Sequence, residues 1–133
     1  MKLFNGPLTT LEHALDIRAQ RHEVLSTNLA NIDTAGFIAQ DVDFETSLQK
    51  AQEADDGKDA SIAFSSTTGS REPTAVEMMD APSLYSTGLD GNTVDLDRTM
   101  AALADNGLQY GANAKVAAKH LGLLRTVVND GNG

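Results

Sequence analysis

The chain has 133 residues, a net charge of −9, and neither Cys nor Trp. That length suits one modest domain, and the missing Cys excludes disulfides and thiolate metal sites. The acidity is segregated. Residues 1–37 carry three basic and four acidic groups, 38–93 three and eleven, and 94–133 four and four. No basic stripe is available to neutralise phosphates, which argues against nucleic acid as a partner. An acidic middle between near-neutral, patterned ends reads as a solvated insert between two packing elements. The N-terminus lacks the apolar run of a cleavable signal peptide, and no segment is apolar enough to span a bilayer. The expectation is a cytosolic protein, or one exported by a route that does not read a Sec signal.

Gly6-Pro7 sets the entry to a first helix. Leu8, Leu11, Leu15, Arg18, His22, Leu25, Leu29 and Ile32 follow 3-4 spacing, so the pattern predicts a helix from about Leu8 to Asn31. Thr9 or Thr10 is the expected cap. Arg18 and His22 interrupt the seam, with stems that can pack while their heads reach outward. Asp33-Thr34-Ala35-Gly36 then breaks the helix, with Gly36 suited to a left-handed conformation. Phe37 is placed to pack back on the last turn.

An extended stretch follows through Val42. Asp43 is a fair cap for a short helix carrying Phe44, Leu48 and Ala51 on one face. From Glu53 to about Leu89 no period holds, and this acidic stretch reads as an irregular insert, partly disordered in the isolated chain. Ile62-Ala63-Phe64 is the one strand candidate within it, and residues 55–70 are expected to tolerate shortening.

Asp90-Gly91-Asn92 signals a turn. Thr93 or Asp95 is the expected cap of a second helix, about 50 Å long. Its seam is Leu96, Met100, Leu103, Gly107, Tyr110, Ala114, Ala117, Leu121, Leu124 and Val128, and Asn129-Asp130-Gly131 ends it. Ala112, Val116, Leu123 and Val127 form another apolar line, and small residues including Gly111, Ala118 and Gly122 a third. A helix apolar on several sides is buried on several sides, and this chain offers one long partner. The other contacts are therefore expected from other subunits, and the isolated chain is expected to be only partly folded. The interior glycines, each costing about 1 kcal/mol against Ala, point to close helix approach.

The predicted fold is mainly α. N- and C-terminal helices form an antiparallel coiled-coil-like hairpin around a largely irregular middle with room for short β segments. The divisions are 1–36 for the first helix and turn, 37–92 for the extended segment, short helix and insert, and 93–133 for the second helix. In that hairpin Leu11 and Leu15 are expected opposite Leu121 and Leu124, and Leu29 and Ile32 opposite Leu96 to Leu103.

The residues offer little chemistry. His13 and His22 are nine positions apart, on opposite sides of a helix, and His120 is remote, so three convergent zinc ligands are not in view. Asp55-Asp56-Gly57-Lys58-Asp59 lacks the spacing and terminal Glu of a calcium loop. No phosphate loop or serine elbow is present, and His13 with Asp16 is an ordinary helix-surface pair. The expectation is no enzyme, no catalytic, cofactor-binding or metal residues, and no cofactor.

The wording of the turn is more specific than a helix stop requires. Asn28-Leu29-Ala30-Asn31-Ile32-Asp33-Thr34-Ala35-Gly36-Phe37 resembles the Asn-Ile-Ala-Asn-x-Asp-Thr-Pro-Gly-Tyr/Phe signature of bacterial flagellar rod and hook axial proteins. Gly91-Asn92-Thr93-Val94-Asp95-Leu96-Asp97 through Asn106 is similar to the run that opens the last helix of the FlgB-type rod branch. Leu15 to Leu25 resembles that branch's first helix, and Asp41-Val42-Asp43-Phe44 follows in place. The resemblance covers about 1–50 and 88–129. Ala35 stands where the family favours Pro, Thr99 where it favours Glu, and Gly107 where it has a larger residue.

The resemblance implies a structural subunit of the proximal rod of the flagellar basal body. Such a subunit is exported unfolded, without a cleaved signal peptide, through the flagellar type III export gate. It would polymerise as a helical multimer in the periplasmic space, its terminal helices lining the export channel and transmitting torque. Implied partners are other rod subunits, the adaptor protein FliE and the export gate. The implied motif-turn residues are Asn28, Asn31, Asp33, Thr34, Gly36 and Phe37, and the implied assembly residues are the apolar and small members of the two seams. Another rod subunit, or a cytosolic coiled-coil adaptor or export chaperone, is the alternative; an adaptor would stay inside the cell.

Overall fold

The structure, a computed structural model, describes residues 5–56, 76–81 and 88–130. Three helices and a two-stranded sheet make up these residues: α1 (Asn5–Ala30), β1 (Gln40–Asp43), α2 (Phe44–Asp56), β2 (Glu77–Asp80) and α3 (Leu96–Asp130). The mainly helical architecture with a long helix at each end is the one the spacing predicts. The strand candidate at 62–64 and most of the 55–70 loop lie outside the described residues.

Helix α1 starts three residues before the predicted position. Pro7 falls in its first turn, where a missing N–H costs nothing and the fixed φ suits a helix. Thr9 and Thr10 therefore do not cap it. Their hydroxyls lie inside the helix and donate back to the Gly6 carbonyl at 3.0 and 2.9 Å.

Asp43 does cap α2. Its carboxylate accepts from the Thr46 amide at 3.1 Å and from the Thr46 hydroxyl at 2.8 Å. These bonds, the amide first, hold the Asp43 carboxyl below its usual pKa range. Of the two candidates for α3 it is Asp95 that caps, accepting from the Arg98 amide at 3.0 Å. Thr93 is committed elsewhere, as described below. Helix α3 has 35 residues, about 52 Å at 1.5 Å per residue.

Strand β2 is a short β segment of the kind the irregular middle left room for. It pairs antiparallel with β1, Gln40 opposite Asp80 and Asp43 opposite Glu77. Glu77-Met78-Met79-Asp80 shows no alternation because all four residues are exposed, so period-2 patterning had nothing to register. The strand is held from α2. Ser47 Oγ accepts from the Glu77 amide at 2.9 Å and donates to the Asp43 carbonyl at 2.6 Å, and Lys50 pairs with Glu77.

Helix α1 is the central element. It packs against α3 on one side and against α2 and β1 on another, while α2 and α3 do not touch. Two-sided packing explains why its buried line shares only Arg18 and Leu25 with the predicted seam. Ala14, Ile17, Arg18, Leu25 and Asn28 are the buried α1 residues, whereas Leu8, Leu11, Leu15, Leu29 and Ile32 are half-buried and His22 is exposed. The apolar core gathers Leu25, Ala39, Ala81 and Val94, with Ile32, Phe37, Ala102 and Leu103 against it.

The hairpin is antiparallel, but its register differs from the expected one at the far end. Leu25 sits with Ala102 and Leu103, and the Arg18 carbonyl accepts from Asn106 Nδ2 at 2.8 Å. Stepping down α1 as α3 rises, Leu15 comes level with about Gln109 and Asn5 with about Lys119. Leu11 and Leu15 therefore do not face Leu121 and Leu124. The helices have unequal lengths and are aligned from the connected end, so α3 overshoots the start of α1.

Candidate functional site: the junction of the two signature stretches

The turn after α1 and the turn before α3 lock into one junction through bonds that span 54 to 61 residues of sequence. Helix α1 closes through Asn31. Its amide donates to the Thr27 carbonyl, its side chain donates to the same carbonyl at 2.8 Å, and its carbonyl accepts from the Thr34 amide at 3.0 Å. Thr34 Oγ1 donates to Asn31 Oδ1 at 3.2 Å. Gly36 then takes φ 72°, a left-handed conformation that a side chain would strain. Its amide donates to the Asp90 carbonyl at 3.0 Å. Gly91, at φ 76°, is the matching glycine of the second turn, and a Cβ there would stand 3.7 Å from the Gly36 Cα.

Asn92 is the clamp. Its Nδ2 lies 2.9, 2.8 and 2.8 Å from the carbonyls of Asn31, Ile32 and Thr34, and its Oδ1 accepts from the Val94 amide at 2.8 Å. One side chain thus adds a donor to the turn at the C-terminus of α1 and orders the approach to α3. Among the described residues the Ile32 carbonyl has no backbone partner, while those of Asn31 and Thr34 also accept from the Thr34 and Phe37 amides. Thr93 completes the seam. Its amide donates to the Phe37 carbonyl at 2.9 Å, and its hydroxyl accepts from the Ala39 amide at 2.8 Å.

Asn28 ties α1 to the sheet. Its Nδ2 donates to the Gln40 carbonyl at 2.6 Å and its Oδ1 accepts from the Gln40 amide at 3.0 Å, imitating a neighbouring strand along β1. Two α1 turns earlier, Arg21 forks onto Asp41 with two bonds of 2.7 Å. That bond raises the Arg21 pKa above its ordinary value, with burial acting against it. Asp41 also accepts from the Val42 amide. Arg18 lies over the Phe44 ring, 4.2 Å from its centroid. Burial lowers its pKa, Arg21 lowers it further, and Asp105 partly offsets both.

The junction brings together five of the six motif-turn residues. Asn28, Asn31, Thr34 and Gly36 make the bonds above, Phe37 packs on the core, and Asp33 is exposed. The seam positions of α3 are more dispersed. Leu103, Ala114, Ala117 and Leu124 are half-buried, while Leu96, Met100, Gly107, Tyr110, Leu121 and Val128 are exposed. The most buried α3 residues, Thr99 and Asn106, are polar, and an apolar-period reading passes over both. Asn92, read as a turn residue, has its carbonyl partners some 60 positions away, where no local signal reaches.

Further along the helix pair, Arg18, Ala19, His22, Asn106, Gly107 and Tyr110 line an open groove of about 330 Å³ between α1 and α3. A Cβ added at Gly107, Gly111 or Gly122 would meet nothing within 4 Å. Among the described residues, no neighbour uses the close approach these glycines permit. No group of three His or acidic residues is placed to hold a metal ion among the described residues, and no described helix is long and apolar enough to cross a membrane.

The comparisons agree with the wording of the turns. Residues 8–37 match the family described as "Flagella basal body rod protein". The chain is 36% identical over 132 residues to the flagellar basal body rod protein FlgB of Yersinia enterocolitica, covering 96% of each. Against FlgB of Escherichia coli (strain K12) it is 35% identical over 128 residues, and against that of Salmonella typhimurium 36% over 131, covering 91% of each chain in both cases. With full-length relatives at this identity, and with the two signature stretches meeting in one junction, the chain belongs to the flagellar basal body rod protein family, in its FlgB branch.

Proposed function

We propose that the chain is a structural subunit of the proximal rod of the flagellar basal body, exported without a cleaved signal peptide through the flagellar type III gate. The terminal segments, 1–36 and 93–133, form its axial α layer. There they line the export channel and transmit torque. The adaptor FliE and neighbouring rod subunits are its partners, and the seam and motif-turn residues are its packing positions. The observation that carries this reading is the pairing of a tightly bonded junction with an α3 left open. Leu108, Val116, Leu121, Leu123, Val127 and Val128 are all more than half exposed, a large apolar surface for a soluble monomer. Subunit packing in a filament gives that surface a use.

The test is deletion of the gene, complementation with a tagged copy, and three readouts: protein in the medium, protein in purified basal bodies, and swimming. Rod membership gives a non-motile deletion and the tagged chain in basal bodies. A chain that stays in the cytosol and leaves basal bodies complete in its absence would be an adaptor or chaperone.

A further inference from the structure

Helix α3 continues beyond the described start of α1, from about Lys119 to Asp130. Four of its apolar residues there are exposed, Leu121 by 52%, Leu123 by 59%, Val127 by 63% and Val128 by 69%, with Leu124 half-buried among them. They fall in one sector of the helix, the direction that faces α1 lower down. The charges are sorted with equal clarity. Between Asn106 and Asn129 there is no Asp or Glu, and the cations are Lys115, Lys119 and Arg125. Lys119 is one turn from Leu123 and Arg125 one turn from Leu121, so a cation borders the apolar sector on each side. Neither makes an ion pair among the described residues.

An apolar seam with charges on both flanks is the arrangement by which coiled-coil helices choose partners. Two copies of this segment would set cation against cation, which disfavours pairing of α3 with α3. We infer that the distal stretch of α3 is a docking surface for a helix of a different subunit, one whose apolar seam is flanked by Asp or Glu. This rests on the rod reading above and adds the sign and place of the contact. The apolar sector supplies the buried area and the flanking cations select the partner, so selectivity falls with salt and with charge reversal.

The test uses the full chain in cells lacking the wild-type gene. The double variant Lys119→Glu/Arg125→Glu should be secreted at the wild-type level yet recovered in purified basal bodies at least about tenfold less, since several like-charge contacts replace attraction. The charge-keeping Lys119→Arg/Arg125→Lys variant should incorporate as wild type. The neutral Lys119→Gln/Arg125→Gln variant, which removes attraction without adding repulsion, should fall between them. Incorporation of both the reversed and the neutral variants at the wild-type level would overturn the inference. So would two results with the purified wild-type chain: salt-sensitive self-association that the reversal abolishes, marking a second copy as the occupant, or sedimentation with phosphatidylglycerol vesicles but not phosphatidylcholine ones, marking a lipid surface. Absence of the wild-type chain from basal bodies would instead remove the rod reading itself.

Discussion

At the residue scale, Asn92 concentrates more long-range bonding than any other described side chain. It is 5% exposed and serves three carbonyls and one amide. Removing it leaves the half-buried Ile32 carbonyl and the buried Val94 amide without these partners, at about 1–3 kcal/mol for a buried unpaired group. Asn92→Ala is therefore expected to lower the denaturation midpoint by an amount in that range. Asn92→Asp should be worse despite its matching shape, because it turns a carboxylate oxygen toward three carbonyl oxygens. Equilibrium urea unfolding of the three proteins checks this, and an Asp variant as stable as wild type would contradict the clamp. Asp43 gives a prediction with a sign. Its folded pKa lies below the ordinary 3.8 because the ionised form accepts from Thr46. Its contribution to α2 is present above the unfolded pKa and is lost as pH falls through the lower folded value. An NMR titration of the Asp43 carboxyl should thus show a midpoint under 3.8. Thr46→Ala, which removes the hydroxyl bond and keeps the amide bond, should move it part of the way back.

At the element scale, the register of α1 on α3 is set by polar groups as much as by apolar ones. Asn106, 1% exposed, donates to the Arg18 carbonyl. Thr99 is fully buried, and its hydroxyl has no partner among the described residues. The alignment leads to a crosslinking prediction. Cysteines at Leu15 and Tyr110 should be bridged by a short bifunctional reagent. Cysteines at Leu15 and Leu121 should not, since Leu121 lies about 18 Å further along α3 than the level of Leu15. Efficient bridging of the second pair would require the helices to slide by three turns.

At the scale of the whole molecule, stability is unevenly spread. The junction, the core around Leu25 and the Arg21–Asp41 fork cluster on the half of α1 that adjoins the turns. The far end of α3 has exposed apolar side chains and few cross-chain bonds. Local opening follows contact density. Backbone amides of 99–106 are expected to be among the most protected in α3 against hydrogen exchange, and those of 119–130 among the least. Equal protection along the helix would show that the distal segment is covered even in the isolated chain. The same gradient suits a subunit whose own fold orders one end and whose neighbours order the other.

What the sequence determined by itself is local. The 3-4 spacing made two long helices, Asp43 marked a cap, Gly36 marked a left-handed stop, and Asp90-Gly91-Asn92 marked a turn. The wording of two stretches was enough to reach the family. Each of these depends on a few adjacent residues, whose side chains and backbone meet whatever the rest of the chain does. The tertiary structure decided what depends on distance. It paired Glu77–Asp80 with β1, although that strand has no period of its own. It moved the buried line of α1 onto Ile17 and Asn28, because two neighbours and not one share the helix. It spent Thr93 on β1's approach and left capping to Asp95. It aligned α3 from the connected end, leaving Leu121 and Val128 exposed. Periodicity shows that a face is apolar; which residue of a second helix lies opposite depends on side-chain-to-backbone bonds spanning 60 to 90 positions, and those exist only once the chain has folded.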